Sequence, residues 1–589
     1  MVLCAISIVL ASGDERKAHN WRKTNNMNKS NKNTIFSIIV LLITSVIIMA
    51  RQILSQGYFS TNMNDTFAYT SWAWQFTEQM KEGVIYPRWM SLDFYGYGAP
   101  VFILYPPLAF YLTAFVNIFT DSIVTAMNYS KLAALFLSSV GIFLYAKEIL
   151  REKYALIAAI SYLMMPFTVM QFYLLGAFAS TISFSWFPYI LLYTHRYIKD
   201  GEISNIIYLI ICYSGLICTH LINAYMFTYV FILYLVVLAI INKQIGKTKI
   251  IPVVIITAML LSSAFTLPLL FEKQHVNLNT FIKNNNYNYG EYTNFFILPD
   301  MTRNLPLDHS WVIYHTTYVL VTMLFCTLIV FVLLNVLKKD NYKKNKEVFF
   351  IGVEFTGVAI ISILLLFGPS KMFWQVLPFF KYIQFPARWM NITNFVCAIL
   401  IAILLYYLPL KKRLIYIFIL SISFVLLDYK YMIIANVFEG QALFPVKEVN
   451  WTIEHLPSGI SLDEIANSNI QTKKVELKNG SGKLRIVDWK PTERIISIKG
   501  GQPSTIKVAT FNFPGWTADI DGRITQIKTE KNTSAIIIDI PAGEHLLKLV
   551  FKDTPIRMYG KIISFSTLML ALLFLIFQKF VFRKQKVKQ

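Results

Sequence analysis

The segment that decides the fold is TIFSIIVLLITSVIIMARQIL, residues 34–54, in which Arg51 is the single charged residue. An α-helix of roughly 20 apolar residues is long enough to cross the hydrocarbon core of a bilayer. Segments of this kind recur along the 589-residue chain, of which 55% is hydrophobic and only 15% is charged. This composition excludes a soluble globular protein of this size and predicts an α-helical polytopic membrane protein.

Twelve segments have the length and hydropathy of a membrane-spanning helix. They are predicted near residues 34–54, 125–146, 154–170, 181–198, 203–219, 222–241, 250–270, 314–336, 348–367, 392–409, 414–431 and 559–581. One more apolar run, Val101 to Phe119, contains Pro106 and Pro107, which would break a helix in its middle. The short remainder is predicted to form a helix begun by Pro107 that lies at, or dips into, the outer surface.

The basic residues of the chain support this topology. If Val101 to Phe119 does not cross the membrane, the two tails and every second loop lie on the same side. Together these segments contain 26 Lys and Arg and 8 Asp and Glu. Cytoplasmic loops are rich in basic residues, so both termini of this multi-pass plasma-membrane protein are predicted to be cytoplasmic. The basic residues of the predicted cytoplasmic segments largely explain the formal charge of +22. No nucleic-acid partner is therefore predicted.

The predicted topology divides the chain into four parts. They are a basic cytoplasmic tail (1–33, in which Met1 and Met27 are both possible starts), a transmembrane core (34–431), an outer domain (432–557) and a last span with a basic cytoplasmic tail (558–589). Outer loops are expected at 55–124, 271–313 and 368–391. The outer domain alternates in period two, as in ERIISIKG (493–500), and Asp521-Gly522 marks a hairpin, so a β-sandwich is predicted.

The first outer loop contains an acidic residue with two possible roles. Asp65 precedes an aromatic-rich segment, Thr66 to Glu82, which is predicted to be an interfacial helix that stops at Gly83. Asp65 either caps this helix or takes part in chemistry.

Several motifs resemble those of a known family. GVIYPRW (83–89), GYGAPVF (96–102), YPPL (105–108) and QFPARW (384–389) resemble the bacterial membrane proteins called 6-pyruvoyl-tetrahydropterin synthase-related. They are similar to YfhO-type proteins and to the wider GT-C class of glycosyltransferases, and FPGWTADIDGR (513–523) resembles the outer β domain of the YfhO type.

The GT-C resemblance implies transfer of a sugar from a polyprenyl-phosphate carrier, with an acidic residue of the first outer loop acting at the acceptor. Asp65 matches that position, where it would accept a proton or hold a divalent cation such as Mg²⁺ or Mn²⁺. We therefore expect a glycosyltransferase-like protein that modifies a cell-envelope glycan, lipid or protein on the outer face. The alternative is a non-catalytic membrane protein that binds or moves lipid-linked glycans.

A carrier phosphate requires basic side chains near the membrane surface. The loop 368–391 contains Lys371, Lys381 and Arg388 and no acidic residue. Arg388 is the first candidate for the phosphate, with Lys381 and Lys131, near the outer end of the second span, as further candidates. The alternative for Arg388 is snorkelling toward lipid headgroups.

Other polar residues on the outer side are candidates for binding substrate or metal. They are Arg88, Asp93, His220, Glu272 and His275. The alternatives are a pairing of Arg88 with Asp93 and simple helix capping by the histidines. A third function class, ion-coupled transport, would place ionisable residues at the membrane midplane, whereas Glu354 and Asp428 lie nearer the predicted span ends.

One stretch departs from the family pattern. The relatives are expected to carry an outer loop resembling RGAxAE after the third span, and the corresponding stretch here is LLGAFAS (174–180). Ser180 stands at the glutamate position, and Leu174 or Leu175 at the arginine position. If those charges bind substrate in the relatives, this chain has lost or changed that contact.

Overall fold

The computed structural model describes residues 23–55, 57–60, 63–278, 345–434, 436–438, 449–450, 452–467 and 473–587. These residues form two compact units. The first draws on residues 1–63, 127–258 and 286–439, and the second on residues 64–126, 259–285 and 440–589. Each unit therefore combines segments that are far apart in the sequence.

The first unit is helical. Its α-helices are Lys23–Ser55, Ile123–Ile149, Glu152–Met164, Pro166–Tyr173, Phe178–Ser183, Phe187–Asp200, Ile203–Thr219, Leu221–Ile241, Ile250–Leu261, Lys346–Leu364, Lys371–Val376, Met390–Tyr407 and Leu410–Ile434. Short 3₁₀ turns are Ile245–Lys249, Gly368–Ser370, Phe380–Ile383 and Pro386–Trp389, and the strands Tyr58–Ser60 and Asn436–Phe438 pair antiparallel. Met390–Tyr407 is the central helix, since every residue from Met390 to Leu405 is buried.

Six helices in the described part of the chain are long and apolar enough to cross a membrane, or up to eight if each of two bent pairs is one span. The six are Lys32–Ser55, Ile123–Ile149, Leu221–Ile241, Lys346–Leu364, Pro386–Tyr407 and Pro555–Gln578. The predicted spans 154–170 and 250–270 correspond to the bent pairs, and the predicted span 314–336 lies outside the described residues. The total of twelve crossings stays a prediction.

Prolines explain why some predicted spans are interrupted. The predicted span 181–198 is divided into Phe178–Ser183 and Phe187–Asp200, with Pro188 in the first turn of the second helix. A helix begins readily at proline, whereas a proline further along removes one backbone hydrogen bond, because it lacks the N–H, and so favours a kink or a break. The break at Pro106-Pro107 is present as predicted, although the helix Leu108–Asn117 starts after Pro107, which is its N-cap.

The second unit combines helices with two antiparallel sheets. Its helices are Met63–Lys81, Val101–Leu104, Leu108–Asn117, Ser263–Glu272, Leu462–Asn467 and Pro555–Val587, with 3₁₀ turns at Lys273–His275 and Ile453–His455. The four-stranded sheet has the order Val475–Asn479, Ser504–Phe511, Ala535–Ile540, Lys528–Thr529. The five-stranded sheet has the order Lys483–Lys490, Glu493–Gly500, Gly543–Phe551, Trp516–Ile520, Arg523–Thr525.

The predicted hairpin at Asp521-Gly522 is confirmed. Ile520 pairs with Arg523, and the two turn residues have φ of +51° and +84°. This is the conformation that two-residue hairpin turns require, and Asp-Gly is a favoured sequence for it. Alternate residues are buried in the strand Glu493–Gly500, where Ile496 and Ile498 are buried and their neighbours are partly exposed, so period two predicted the C-terminal β-sheet region correctly.

Candidate functional site

Asp65 lies near the start of the aromatic-rich helix of the second unit. The helix begins at Met63, three residues before the predicted start, so Asp65 is an exposed residue of the first turn rather than the cap residue. A negative charge in the first turn is stabilised by the helix dipole. The predicted stop is confirmed, because the helix ends at Lys81 and Gly83 adopts φ +90°.

A second carboxyl group, which the sequence analysis missed, lies within electrostatic range of Asp65. It belongs to Glu454 in the 3₁₀ turn Ile453–His455. Burial raises the pKa of Glu454 to about 7, and the negative charge of Asp65 acts in the same direction. At neutral pH this pair therefore carries less than two full negative charges.

Aromatic rings occupy the same helix face as Asp65. Tyr69 and Trp72 are four and seven residues further on, which places all three on one face. The Tyr69 hydroxyl is 3.0 Å from the Tyr105 hydroxyl, and the Trp72 ring meets the ring of His455 edge-on at 5.6 Å between centroids. His455 is buried, and its Nδ1 has no hydrogen-bond partner among the described residues.

Two contacts attach the chain before Glu454 to the first outer loop. The backbone N–H of Phe94 donates to the carbonyl of Val449 at 3.1 Å, and the N–H of Tyr95 donates to Asn450 Oδ1 at 2.9 Å. Phe94 and Tyr95 both have positive φ, as part of the turn that precedes GYGAPVF. This loop geometry brings a carboxyl group from the C-terminal part of the chain to the helix of Asp65.

Asp93 holds the aromatic helix in place and is not a partner of Arg88. It is fully buried, and its two oxygens accept hydrogen bonds from Trp72 Nε1 at 2.8 Å and Gln75 Nε2 at 3.0 Å. The possible pairing of Arg88 with Asp93 is therefore wrong, because Asp93 is already engaged by this helix.

Arg88 is turned toward a different part of the second unit. It is buried, donates from Nη2 to the carbonyl of Ala264 at 3.1 Å, and lies 3.7 Å from Asp553 through Nε. Its guanidinium also stacks 3.7 Å above the Tyr86 ring. The contacts of Arg88 are thus with residues of the second unit other than Asp93.

The candidates after the seventh predicted span also have structural partners. Glu272 is buried and accepts from Arg557 and from Thr554. His275 is exposed, with its ring edge-on to Phe513 at 6.0 Å. Within the described residues, no group of three or more His, Cys, Asp or Glu side chains is placed to hold a metal ion, so a divalent cation at Asp65 stays a prediction.

The predicted phosphate-binding residues belong to the first unit and differ in exposure. Arg388 is half-buried, and its Nη1 donates to the Ile383 carbonyl at 2.8 Å and to Gln384 Oε1 at 3.1 Å. Lys381 is exposed. Lys131 is instead buried, donating to the Phe172 carbonyl at 3.2 Å, so this lysine is turned into the helical unit.

His220 is a helix cap close to Arg388. Its Nδ1 accepts from the Asn223 N–H at 3.1 Å at the start of the helix Leu221–Ile241, which confirms the capping alternative. Burial lowers the pKa of His220 to about 3, and the positive charge of Arg388 adds to this effect. His220 is therefore a neutral neighbour of the Arg388 cation.

A buried network of neutral polar side chains surrounds Ser180. Asn223 Nδ2 donates to Ser180 Oγ at 3.0 Å, and Asn391 Nδ2 donates to Asn223 Oδ1 at 3.1 Å. Gln171 Nε2 donates in turn to Asn391 Oδ1 at 2.9 Å. The sequence signal for this network is the presence of amide side chains within apolar helices.

The fold and these sites define a polytopic membrane protein with polar and carboxyl-bearing sites outside and within its helices. The chain belongs to the 6-pyruvoyl-tetrahydropterin synthase related domain family of membrane proteins, which matches residues 102–434. The family resemblance seen in the motifs is thereby confirmed.

Solved structures with some similarity are oligosaccharyltransferases of Archaeoglobus fulgidus. The apo form has 11% identity and a TM-score of 0.39, covering 68% of this chain and 56% of that chain. AglB in complex with an inhibitory peptide and a dolichol-phosphate has 12% identity and a TM-score of 0.34, with the same coverage. The complex with Zn and sulfate has 14% identity and a TM-score of 0.33, covering 67% and 53%.

This chain thus spans little more than half the length of these solved proteins. No curated protein matches the chain.

Proposed function

We propose that the protein is an integral membrane glycosyltransferase that moves a sugar from a polyprenyl-phosphate carrier to a cell-envelope glycan, lipid or protein on the outer face of the plasma membrane. The observation that carries this proposal is the exposed carboxylate of Asp65, which lies on one helix face with Tyr69 and Trp72 and interacts electrostatically with the Glu454 carboxyl group of the turn Ile453–His455. Aromatic rings beside carboxyl groups offer both the apolar faces and the hydrogen-bond acceptors that a sugar acceptor requires.

Asp65 is the general base in this proposal. Its exposed carboxylate takes the proton of the acceptor hydroxyl while the acceptor oxygen forms a bond to the anomeric carbon. The bond between that carbon and the carrier phosphate breaks, and the phosphate leaves with the bonding electrons. When Glu454 is protonated, the pair of Asp65 and Glu454 carries a single negative charge, which lies on Asp65. A neutral Glu454 does not repel this charge, so Asp65 can act as the base.

Arg388, a residue of the first unit, is proposed separately as the binding residue for the phosphate of the lipid carrier. Its guanidinium is fixed by its bonds to Ile383 and Gln384, in a loop that contains three basic residues and no acid. Charge-assisted bonds from a guanidinium to a phosphate are strong and directional. Lys381, which is exposed in the same loop, adds positive charge.

The test is lipid and glycan profiling of cells that lack the gene and carry either the wild-type chain or a variant. Asp65→Asn should reproduce the deletion, with lipid-linked sugar accumulating and the modified envelope component lost. Glu78→Gln is the matched control, because Glu78 is an exposed acid of the same helix that pairs with Lys81. An unchanged profile in the deletion strain would overturn the proposal.

The second candidate is a non-catalytic protein that binds or moves lipid-linked glycans. The neutral network at Ser180 favours it, because the family resemblance implied a charged contact at this position. Such a protein would tolerate Asp65→Asn but would lose glycan binding when Asn223 is replaced by Ala.

A further inference from the structure

Glu354 is a carboxylic acid buried inside the helical unit, with no hydrogen-bond partner among the residues that the structure describes. It is the ninth residue of the helix Lys346–Leu364, so it lies near the middle of this candidate span. The expectation that Glu354 lies near a span end is wrong. The helix covers residues 346–364 instead of the predicted 348–367, and this shift puts Glu354 near its middle. The residue is 7% exposed, and within the described part of the chain neither carboxyl oxygen has a hydrogen-bond partner.

A partnerless carboxylate is very unfavourable in such a place. Removing an ionised carboxylate from water without pairing it costs far more than burying the neutral acid. Ionisable side chains within membrane helices are rare and usually belong to ion or proton pathways. Glu354 therefore has the environment of a group that binds and releases a proton.

Two tyrosines surround Glu354 from neighbouring helices. Tyr145 of Ile123–Ile149 and Tyr234 of Leu221–Ile241 are both within electrostatic range of its carboxyl group. Both tyrosine side chains are fully buried, and Phe355 stacks on the Tyr234 ring at 5.8 Å. The packed helices Leu221–Ile241 and Met390–Tyr407 contain no Asp, Glu, Lys, Arg or His.

Polar groups continue from Tyr234 to the helix end. The Tyr234 hydroxyl is 2.9 Å from His195 Nδ1, and His195 Nε2 is 3.7 Å from Glu347 Oε1. Glu347 is partly exposed and accepts a 2.6 Å hydrogen bond from Lys199 Nζ. Glu347 and Glu354 are seven residues apart, so they lie on one helix face about 10 Å apart along the axis.

We propose that Glu354 is an intramembrane proton-exchange site, and that Tyr234 and His195 carry protons between it and the helix end with Glu347 and Lys199. A hydronium ion beside Glu347 gives a proton to His195 Nε2 and leaves as water. The proton on His195 Nδ1 passes to the Tyr234 oxygen while the Tyr234 hydroxyl proton passes to the Glu354 carboxylate, whose side chain has rotated toward it. One proton moves inward, Tyr234 and His195 keep their starting charges, and His195 is left with its proton on Nε2.

This site is separate from the proposed sugar transfer, because it uses none of the residues assigned to that reaction. The helix end with Glu347 is the one predicted to face the cytoplasm, so the proton source would be the cytoplasm. If Glu354 had a purely structural role, its carboxyl oxygens would form hydrogen bonds with neighbouring polar groups. Among the described residues they form none.

Infrared difference spectroscopy of the full chain in lipid nanodiscs tests the proton site. A pH step should produce a carbonyl band of a protonated carboxyl group that shifts in D₂O. Glu354→Gln should remove this band and Glu354→Asp should shift it, whereas Glu202→Gln, at an exposed acid of the same unit that is not part of the path, should retain it. Retention of the band in folded Glu354→Gln, or its absence from the wild type, would overturn the proposal.

The rate at which this band shifts after transfer to D₂O tests the path. His195→Phe and Tyr234→Phe should slow the exchange, because each retains an aromatic ring but removes a proton-carrying atom. Tyr213→Phe is the matched control, since Tyr213 is also buried and its hydroxyl bonds to Thr228 instead. Equal exchange rates in the wild type, His195→Phe and Tyr234→Phe would show that protons do not use this path.

Discussion

Glu272 and Arg557 form a buried ion pair, in which Glu272 Oε2 lies 3.0 Å from Arg557 Nε and 2.8 Å from Nη2. The other oxygen, Oε1, accepts from Thr554 Oγ1 at 2.6 Å. The pair joins the helix Ser263–Glu272 to the last helix, Pro555–Val587. Residues 285 positions apart are thus held together inside the second unit.

Removing one partner of this pair should destabilise the protein. Glu272→Gln leaves the Arg557 charge buried and uncompensated, which typically costs about 3–5 kcal/mol. The double variant with Arg557→Met should regain much of this loss, because both charges are then removed. Thermal unfolding in detergent measures both effects, and a double variant no more stable than Glu272→Gln would contradict this account.

Asp65→Asn should separate catalysis from folding. Without the general base, transfer should fall by about 100-fold or more. Loss of the first-turn charge should cost no more than about 1 kcal/mol, because it weakens only the interaction with the helix dipole. Transfer assays and unfolding of the same preparation measure the two effects, and near-normal transfer would remove Asp65 from the catalytic role.

Glu454 should give the protein a characteristic pH dependence. Its pKa of about 7 in the folded protein lies above the ordinary value of 4.5, so the folded state binds more protons between these pH values. Stability should therefore fall as pH rises from about 4.5 to about 7, by at most about 3 kcal/mol.

Glu454→Gln should remove this fall in stability. Unfolding temperatures of both proteins between pH 4 and 8 provide the comparison. Glu464→Gln is the control, because Glu464 is an exposed acid in the nearby helix Leu462–Asn467. Parallel curves for wild type and Glu454→Gln would contradict the assignment of a raised pKa.

Arg388→Ala should weaken binding of the lipid carrier while leaving expression intact. Loss of a charge-assisted hydrogen bond costs on the order of 2 kcal/mol, a factor of roughly 30 in affinity. Binding of a polyprenyl phosphate to purified protein measures the effect. Lys412→Ala, at an exposed basic residue of a predicted cytoplasmic loop, is the control, and unchanged affinity in Arg388→Ala would assign Arg388 to the lipid interface.

The predicted topology places the β-sheet region outside the cell and the C-terminal tail inside. Single cysteines at Ser481 and Lys588, in a background without the five native cysteines, can be labelled with an impermeant thiol reagent. In intact cells only the Ser481 position should react. If only the cysteine at position 588 were labelled, the predicted orientation of the protein in the membrane would be wrong.

Local patterns in the sequence determined much of the secondary structure. The apolar segment 34–54, the break at Pro106-Pro107, the hairpin at Asp521-Gly522 and the alternating strands all appear in the structure. Each depends on a property within a few residues of the chain, such as hydropathy, the missing N–H of proline or a positive φ.

Only the tertiary structure decided the partners of the charged side chains. Arg88 lies beside Asp553 rather than the nearby Asp93, and Asp65 acts on Glu454, which lies almost 400 residues further along the chain. A buried charge is costly without a partner, and the packing of distant segments determines which partner is within reach. Hydropathy and periodicity describe one segment at a time, so they contain no information about these distances.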